Sequence, residues 1–234
     1  MIGAPLTLRG DGVTGRVLEW PSQPGVAQLI MYQQHRLPST GDLMRWSDQL
    51  LGRGFHRIRT SALAPLAAHR VEALGFHMVQ ELVLLEHDHP SEAPRPEMTS
   101  QRLLVAQHAA ASALDHAAFG VGWSLDPEAI DEVRRATPSH RARWLGESLP
   151  AGYALTGRDA RLGFLQRLAV HPDQQGQGMG RALVHDCLRW LARWRAERVL
   201  VNTPVGNHVA LRLYETSGFR RLHERLRVFE RDLS

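Results

Sequence analysis

Glycine stands at alternate positions, Gly176, Gly178 and Gly180, in the stretch "HPDQQGQGMGRAL" from His171 to Leu183. A near-continuous apolar run precedes it and an amphipathic pattern follows at once. A glycine-rich turn between a strand and a helix presents bare backbone N–H groups to an anion, and the helix dipole adds to the attraction. The chemistry this spacing suggests is recognition of a phosphate or pyrophosphate. Two well-known phosphate loops do not fit. The P-loop ends in Gly-Lys-Ser/Thr, whereas Gly180 is followed by Arg181 and Ala182. The dinucleotide fingerprint spaces its glycines as G-x-G-x-x-G rather than alternately. On spacing alone, a plain flexible connection between strand and helix stays open beside the anion site.

Other chemistry-bearing residues have plainer explanations. His87, Asp88 and His89 could suggest a metal site, but they sit in the proline-rich stretch "EHDHPSEAPRPEM", where such groups are solvated, and no metal is expected. Cys187 falls on the apolar face of the pattern after the glycines, which predicts a buried structural thiol rather than a nucleophile. Trp190 and Trp194 share that face and read as core.

The elements that must position the glycine loop follow from periodicity. "RLGFLQRLAV" before it reads as a central strand covered on both faces. "RALVHDCLRWLARWRA" after it is an amphipathic helix, "RVLVN" a strand, and "NHVALRLYETSGF" a helix ending at Gly218. Upstream, "SQRLLVAQ" predicts a short strand and "HAAASALDHAAFG" a helix. "DPEAIDEVRRAT" predicts a helix capped by Asp126, and "ARWLGES" and "AGYALTG" two strands joined by a turn. "FRRLHERLRVFERDL" alternates well enough for two closing strands. The order is β α α β β β α β α β β.

"LAVHPDQQGQGMGRAL", followed by "NHVALRLYETSGF", strongly resembles the GNAT superfamily of acetyl-CoA-dependent acetyltransferases. The family signature Gln/Arg-x-x-Gly-x-Gly/Ala is matched by Gln175, Gly178 and Gly180. The later pattern is met by Asn207, Ala210, Tyr214, Gly218 and Phe219. The resemblance covers residues 98 to 234 and implies a mixed, mostly antiparallel sheet flanked by helices. It implies acetyl-CoA as cosubstrate and an amine as acceptor. The coenzyme pyrophosphate would rest on the backbone of Gly176, Gln177, Gly178, Met179, Gly180 and Arg181. The pantetheine arm would lie along Leu168, Ala169 and Val170, with Gln175 and Asn207 completing the cofactor set. A backbone N–H near Val170 would face the developing oxyanion, and Tyr214 occupies the position of the general acid. His108, Asp115, His116 and Trp123 fall in the region that lines the family's acceptor pocket.

The general base is where the sequence departs from the family. The two usual glutamate positions hold Asn202 and Phe164, with Gln166 two residues beyond the latter. A water chain, Glu147 or His171 are the replacements left, although His171 reads first as a residue that shapes the turn. The missing base also motivates an alternative, an acetyl-CoA-binding pseudoenzyme.

The chain contains an internal repeat. Displaced by 143 residues, Thr60 to Phe76 matches Thr203 to Phe219 at five of 17 positions. Val71 lies over Tyr214, and "QHRLPSTGDLM" stands where a glycine loop would be. The expected organisation is a shortened, degenerate GNAT-like copy over 1–90, a linker over 91–97 and a catalytic domain over 98–234.

Composition bounds the rest. The chain has 234 residues, 43% of them hydrophobic and 22% charged, ordinary values for a globular protein. Its single cysteine excludes an intrachain disulfide, and "MIGAPLTLRG" lacks the features of a signal peptide. A cytoplasmic protein is expected. All 28 basic residues are arginine, scattered rather than striped, and the net charge is +4, so no nucleic-acid partner is expected. No membrane partner is expected either, and a homodimer is left open.

Overall fold

The computed structural model describes residues 6–31 and 36–233. Residues 1–5, on which the signal-peptide expectation partly rests, and Gln34 and His35 of "QHRLPSTGDLM" lie outside the described residues. In chain order the elements are β1 (Leu6–Arg9), β2 (Thr14–Glu19), β3 (Val26–Met31), α1 (Thr40–Leu51), β4 (Arg57–Thr60), α2 (Pro65–Ala73) and β5 (His77–His87). After these come β6 (Gln101–Arg102), α3 (His108–Phe119), α4 (Pro127–Arg134), β7 (Ser139–Leu145), β8 (Gly152–Asp159) and β9 (Leu162–Val170). The last are α5 (Met179–Arg193), β10 (Arg198–Pro204), α6 (His208–Thr216) and β11 (Arg220–Asp232). The fold is mixed α/β, with mostly antiparallel strands flanked by helices, as expected.

Two compact units divide the chain, Met1–Val83 with His223–Ser234, and Leu84–Leu222. The division falls inside β5 and β11, whereas the sequence placed its linker at 91–97. The C-terminal strand belongs with the first unit because it pairs antiparallel with β4, Glu230 opposite Arg59. That unit runs β1-β2-β3-β4-β11, antiparallel except for the parallel pair β3 and β4. A capping box at Ser39 and Asp42 starts α1, and Leu43, Trp46 and Leu50 on one side of that helix join the core with Leu29, Ile58 and Phe229.

The second unit orders its strands β10-β9-β8-β7-β6. Side chains on β8 alternate between two faces. Tyr153 reaches Asp115 of α3, while a Cβ at Gly152 would meet Leu183 of α5. Helices α3 and α4 therefore cover one face over Leu114, Ile130, Trp144 and Leu155, and α5 covers the other with Val184, Leu188 and Leu191 buried. The run β1-β2-β3-α1-β4-α2-β5 has the same order as β7-β8-β9-α5-β10-α6-β11. Helices α2 and α6 are nine residues each, offset by the same 143 positions as the sequence match.

Several expectations are corrected. The strand expected in "SQRLLVAQ" is only Gln101–Arg102, and Val105–Gln107 forms a 3-10 turn tied by Gln107 Oε1 accepting from the Leu104 N–H. The two closing strands are one 13-residue strand, β11, because its interior holds no glycine, proline or asparagine to turn on. The start of the proline-rich stretch is not solvated linker. Glu86 and His87 are buried at the end of β5, and Arg220 bonds both Glu86 and Asp88. Trp194 is not core. It is exposed, with the Arg158 guanidinium 5.1 Å from its ring centroid.

Candidate active site

The strand leading into the glycine loop loses one of its partners. β9 pairs with β8 along its whole length, from Leu162 opposite Asp159 to Val170 opposite Gly152. Its parallel ladder with β10 covers only Leu162, Gly163 and Phe164, although β9 runs on to Val170 and β10 to Pro204. From Leu165 onward that edge of β9 is without a ladder, so its backbone groups can bond an extended ligand as a strand would. The β8 side carries a bulge, since Leu155 opposes Arg167 while Thr156 opposes Leu165. Gln166 is the extra residue, and the bulge bends the strand and re-aims the side chains that follow.

The loop then turns tightly. Pro172–Gln174 forms a 3-10 turn in which the His171 ring accepts from the Asp173 N–H at 3.3 Å. Gln175 Nε2 donates back to the Val170 carbonyl at 3.3 Å, fastening the loop to the strand end. Gly176 and Gly178 have φ of +78° and +84°, in the left-handed region that disfavours side chains. A Cβ at Gly176 would meet nothing within 4 Å, so the loop is open to a ligand there. Helix α5 begins at Met179, and its first backward bond runs from Ala182 N–H to Gly178 C=O at 3.0 Å. The N–H groups of Met179, Gly180 and Arg181 have no carbonyl one turn back and, with the helix dipole, favour an anion.

A cavity of about 570 Å³ joins the open strand edge, the loop and helix α6. Leu168, Ala169, Val170, Gln175, Gly176, Gly178, Met179, Gly180, Arg181, Asn207 and Tyr214 all line it. Gln177 does not, and is exposed in the loop. Asn207 caps α6, its side-chain oxygen accepting from the Ala210 N–H at 3.0 Å. Tyr214 is 5% exposed, and its ring packs against Phe219 at 5.7 Å between centroids. Burial pushes its hydroxyl above the usual phenol range, neighbouring Cys187 adds to the rise, and the Arg167 charge opposes it. Such a phenol stays protonated at neutral pH and can give its proton to a thiolate.

Among the described residues lining this cavity there is no aspartate, glutamate or histidine. Glu147 is exposed in the turn after β7, and His171 is engaged in shaping the loop. Cys187 is buried, and burial pushes its thiol up to about 12, which fits a structural thiol. Among the described residues no group of three or more His, Cys, Asp or Glu could hold a metal. A second cavity of about 660 Å³, beside His87 and His185, shares Arg181 and Thr216 with the first. Among the described residues that line it there is no tyrosine.

One cluster went unread in the sequence. Asp115 is fully buried, and Arg167 binds it with two bonds, Nε to Oδ2 at 2.8 Å and Nη2 to Oδ1 at 2.6 Å. The Tyr153 hydroxyl donates to Oδ2 at 2.6 Å and the Leu125 N–H to Oδ1 at 2.7 Å. Burial, and then the Asp115 charge, push the Tyr153 hydroxyl well up, so it acts as donor. Arg167 Nη2 also donates to the Trp123 carbonyl at 2.8 Å. Of the four residues expected near the acceptor, Asp115 and Trp123 enter this cluster. His108 is buried, and exposed His116 places Nδ1 3.2 Å from Ser124 Oγ. The signal in the sequence was an arginine, beside Gln166, inside a mostly apolar strand run.

Known proteins resemble this chain in sequence and in fold. A model of the acetyltransferase (GNAT) family matches residues 109–219. The mycothiol acetyltransferase of Streptomyces coelicolor is 30% identical, over 92% of this chain and 75% of its own. That of Acidothermus cellulolyticus is 28% identical over 86% and 69%. In fold, the chain resembles a tandem GNAT protein of the clavulanic acid biosynthesis pathway, with a TM-score of 0.65 at 14% identity, covering 95% of this chain and 79% of that one. It also resembles a GCN5-related N-acetyltransferase from Kribbella flavida, with a TM-score of 0.65 at 13% identity, covering 97% and 89%. Among the described residues, no helix is long and apolar enough to cross a membrane.

Proposed function

The chain belongs to the GNAT acetyltransferase family, and from that premise we propose that it transfers the acetyl group of acetyl-CoA to a primary amine, on a small molecule or at a peptide or protein N-terminus. Acetyl-CoA supplies the thioester. The loop amides around Gly176 to Arg181 hold its pyrophosphate, and the open edge at Leu168, Ala169 and Val170 bonds the pantetheine arm. A backbone N–H near Val170 takes up the negative charge that develops on the carbonyl oxygen. The amine nitrogen forms the new C–N bond as the C–S bond breaks. Tyr214 gives its proton to the departing sulfur and recovers one from solvent, which also receives the proton lost by the amine.

A single observation carries this assignment: the open β9 edge, the unsatisfied N-terminus of α5 and the Tyr214 ring line one cavity. The name shared by the mycothiol acetyltransferase relatives supports acetyl transfer as the reaction class. Residues 1–90 are, on this proposal, a degenerate copy in which Val71 replaces Tyr214, joined through 91–97 to the catalytic copy over 98–234. The test is release of free thiol from acetyl-CoA over a panel of amines. Amine-dependent release is expected. A second function, binding of acetyl-CoA without turnover, is favoured by the lack of any carboxylate or imidazole among the described residues lining the cavity. Tight binding with no amine-dependent release would establish it instead.

A further inference from the structure

A third cavity, of about 330 Å³, opens where β6 stops short beside β7. β6 pairs only with Arg143 and Trp144, and one further bond joins the Leu103 N–H to the Ala142 carbonyl. Four arginines line the cavity, Arg102, Arg141 and Arg143 from the sheet and Arg134 from the end of α4. Among the described residues lining it there is no carboxylate, and none of them lines the cavity at the glycine loop. Two carboxylates outside the lining pair with these arginines. Asp186 is shared by Arg141 at 3.0 Å and Arg143 at 3.7 Å. Asp131 is shared by Arg134 at 2.5 Å and exposed Arg135 at 2.7 Å. Arg102 is exposed and has no ion-pair partner among the described residues. Five guanidinium groups therefore face two carboxylates, an excess of three positive charges. Arg134 Nη1 donates to His140 Nε2 at 2.9 Å, so the His140 ring is held neutral and adds nothing to that excess. Burial, and then the Arg141 charge, push the Arg143 guanidinium below its usual value against the pull of Asp186. His108, the first residue of α3, also lines the cavity. It is 3% exposed, and its ring has no hydrogen-bond partner among the described residues. A buried polar group left unmet is costly, and a ligand that accepts from it removes that cost.

We propose that this cavity binds a phosphate group, free or as the monoester of a small molecule, held by Arg102, Arg141 and Arg143 with His108 as a further donor. The charge excess selects the ligand. A phosphate monoester carries roughly −1.5 to −2 at neutral pH and offers three strong acceptor oxygens, whereas a carboxylate carries a single charge on two. Arg141 and Arg143 stand two apart on β7 and so share a face, where their forks can clamp one phosphate. Arg141 gives Asp186 only its Nη2, which leaves its other N–H groups for the ligand. Arg102 lies opposite Arg143 across the β6–β7 pair and brings the third fork from the neighbouring strand. The positive end of the α3 dipole adds to the attraction, because His108 begins that helix. This site does not depend on acetyl transfer at the glycine loop.

Calorimetric titration of the full chain tests the proposal, with inorganic phosphate, glycerol 3-phosphate and acetate as probes at constant ionic strength and neutral pH. Each titration is run with and without saturating coenzyme A, which occupies any phosphate site at the glycine loop. One site per chain is expected for both phosphates with the coenzyme present, and acetate should bind at least about tenfold more weakly. Tighter binding of glycerol 3-phosphate identifies a monoester as the ligand, and tighter binding of inorganic phosphate identifies the free ion; either supports the site. Arg102→Glu reverses the charge of an exposed, unpaired side chain and should weaken phosphate at least about tenfold. Arg95→Glu makes the same change in net charge at an exposed residue of the second cavity and should leave the affinity within about twofold. If Arg102→Glu does not fold, Arg102→Gln removes the charge alone and should weaken phosphate in the same direction. No phosphate binding in the presence of coenzyme A, acetate binding as tightly as phosphate, or equal weakening by the changes at Arg102 and Arg95 would overturn the proposal. Failure of the chain to bind coenzyme A would overturn the acetyltransferase assignment and leave the phosphate titrations to decide this one.

Discussion

Burial acts in the same direction on two single side chains, Tyr214 of α6 and Cys187 of α5. Tyr214 and Cys187 are both desolvated, and each is driven toward its protonated form. For Tyr214 that is the form the proposed general acid requires. Tyr214→Phe keeps the ring packed on Phe219 and removes the proton donor. Turnover should fall by roughly 10²–10⁴ with acetyl-CoA affinity unchanged, and a wild-type rate would make the hydroxyl structural. The sign of the pH dependence follows from the raised value. The folded state holds this proton more tightly than the unfolded state, so the stabilisation is present below about pH 10 and is lost as pH rises through the higher folded value. Loss of the acid therefore sets no descending limb in the rate below about pH 10. Cys187 should resist thiol reagents in the native protein at pH 8, where a mass shift within minutes would contradict its burial. The burial of Cys187 was legible in the sequence from helical spacing, and the proposed role of Tyr214 came from the resemblance to the GNAT family. The Asp115–Arg167–Tyr153 cluster was not legible, because its members come from α3, β9 and β8, and only the fold brings them together.

Secondary-structure elements explain why the loop lies where it does. The parallel ladder ends at Phe164, β9 bulges at Gln166, and α5 opens its N-terminus beyond Gly178. Glycine spacing and the apolar run predicted this strand, loop and helix. The truncated ladder was unreadable, since pairing between strands leaves no mark in one strand's own pattern. The final strand shows a related limit. Alternation marked it as β, but a period of two cannot say whether 13 residues form one strand or two. Helix α6 carries a prediction of its own. Asn207 both caps the helix and lines the cavity. Asn207→Ala should lower stability by about 1 kcal/mol through loss of the cap. Asn207→Asp retains an acceptor for the Ala210 N–H and should keep that stability, while weakening acetyl-CoA binding if the amide also donates to the coenzyme. Denaturant melts and calorimetry on the pair separate the two roles, and equal melts for both variants would deny the cap.

Across the whole molecule, similarity between the halves and physical division of the chain are different things. The repeat was visible in sequence as a match at one offset, and α2 and α6 share that offset. The compact units cut elsewhere, because β11 pairs with β4 and the buried residues Glu86 and His87 close β5. A fragment starting at residue 98 loses the end of β5 and leaves β11 without β4. It should melt far below the full chain, or not cooperatively, in a thermal scan by circular dichroism. A melting temperature near that of the full chain would contradict this. The central claim, that the β9–α5 cavity is the chain's acetyl-CoA site, is tested most directly by calorimetric titration of the full chain with acetyl-CoA, repeated with Gly178→Val. One site per chain is predicted, weakened at least about tenfold by a side chain forced into a left-handed loop position beside the helix N-terminus. Two sites per chain, or an isotherm that Gly178→Val leaves unmoved, would contradict it.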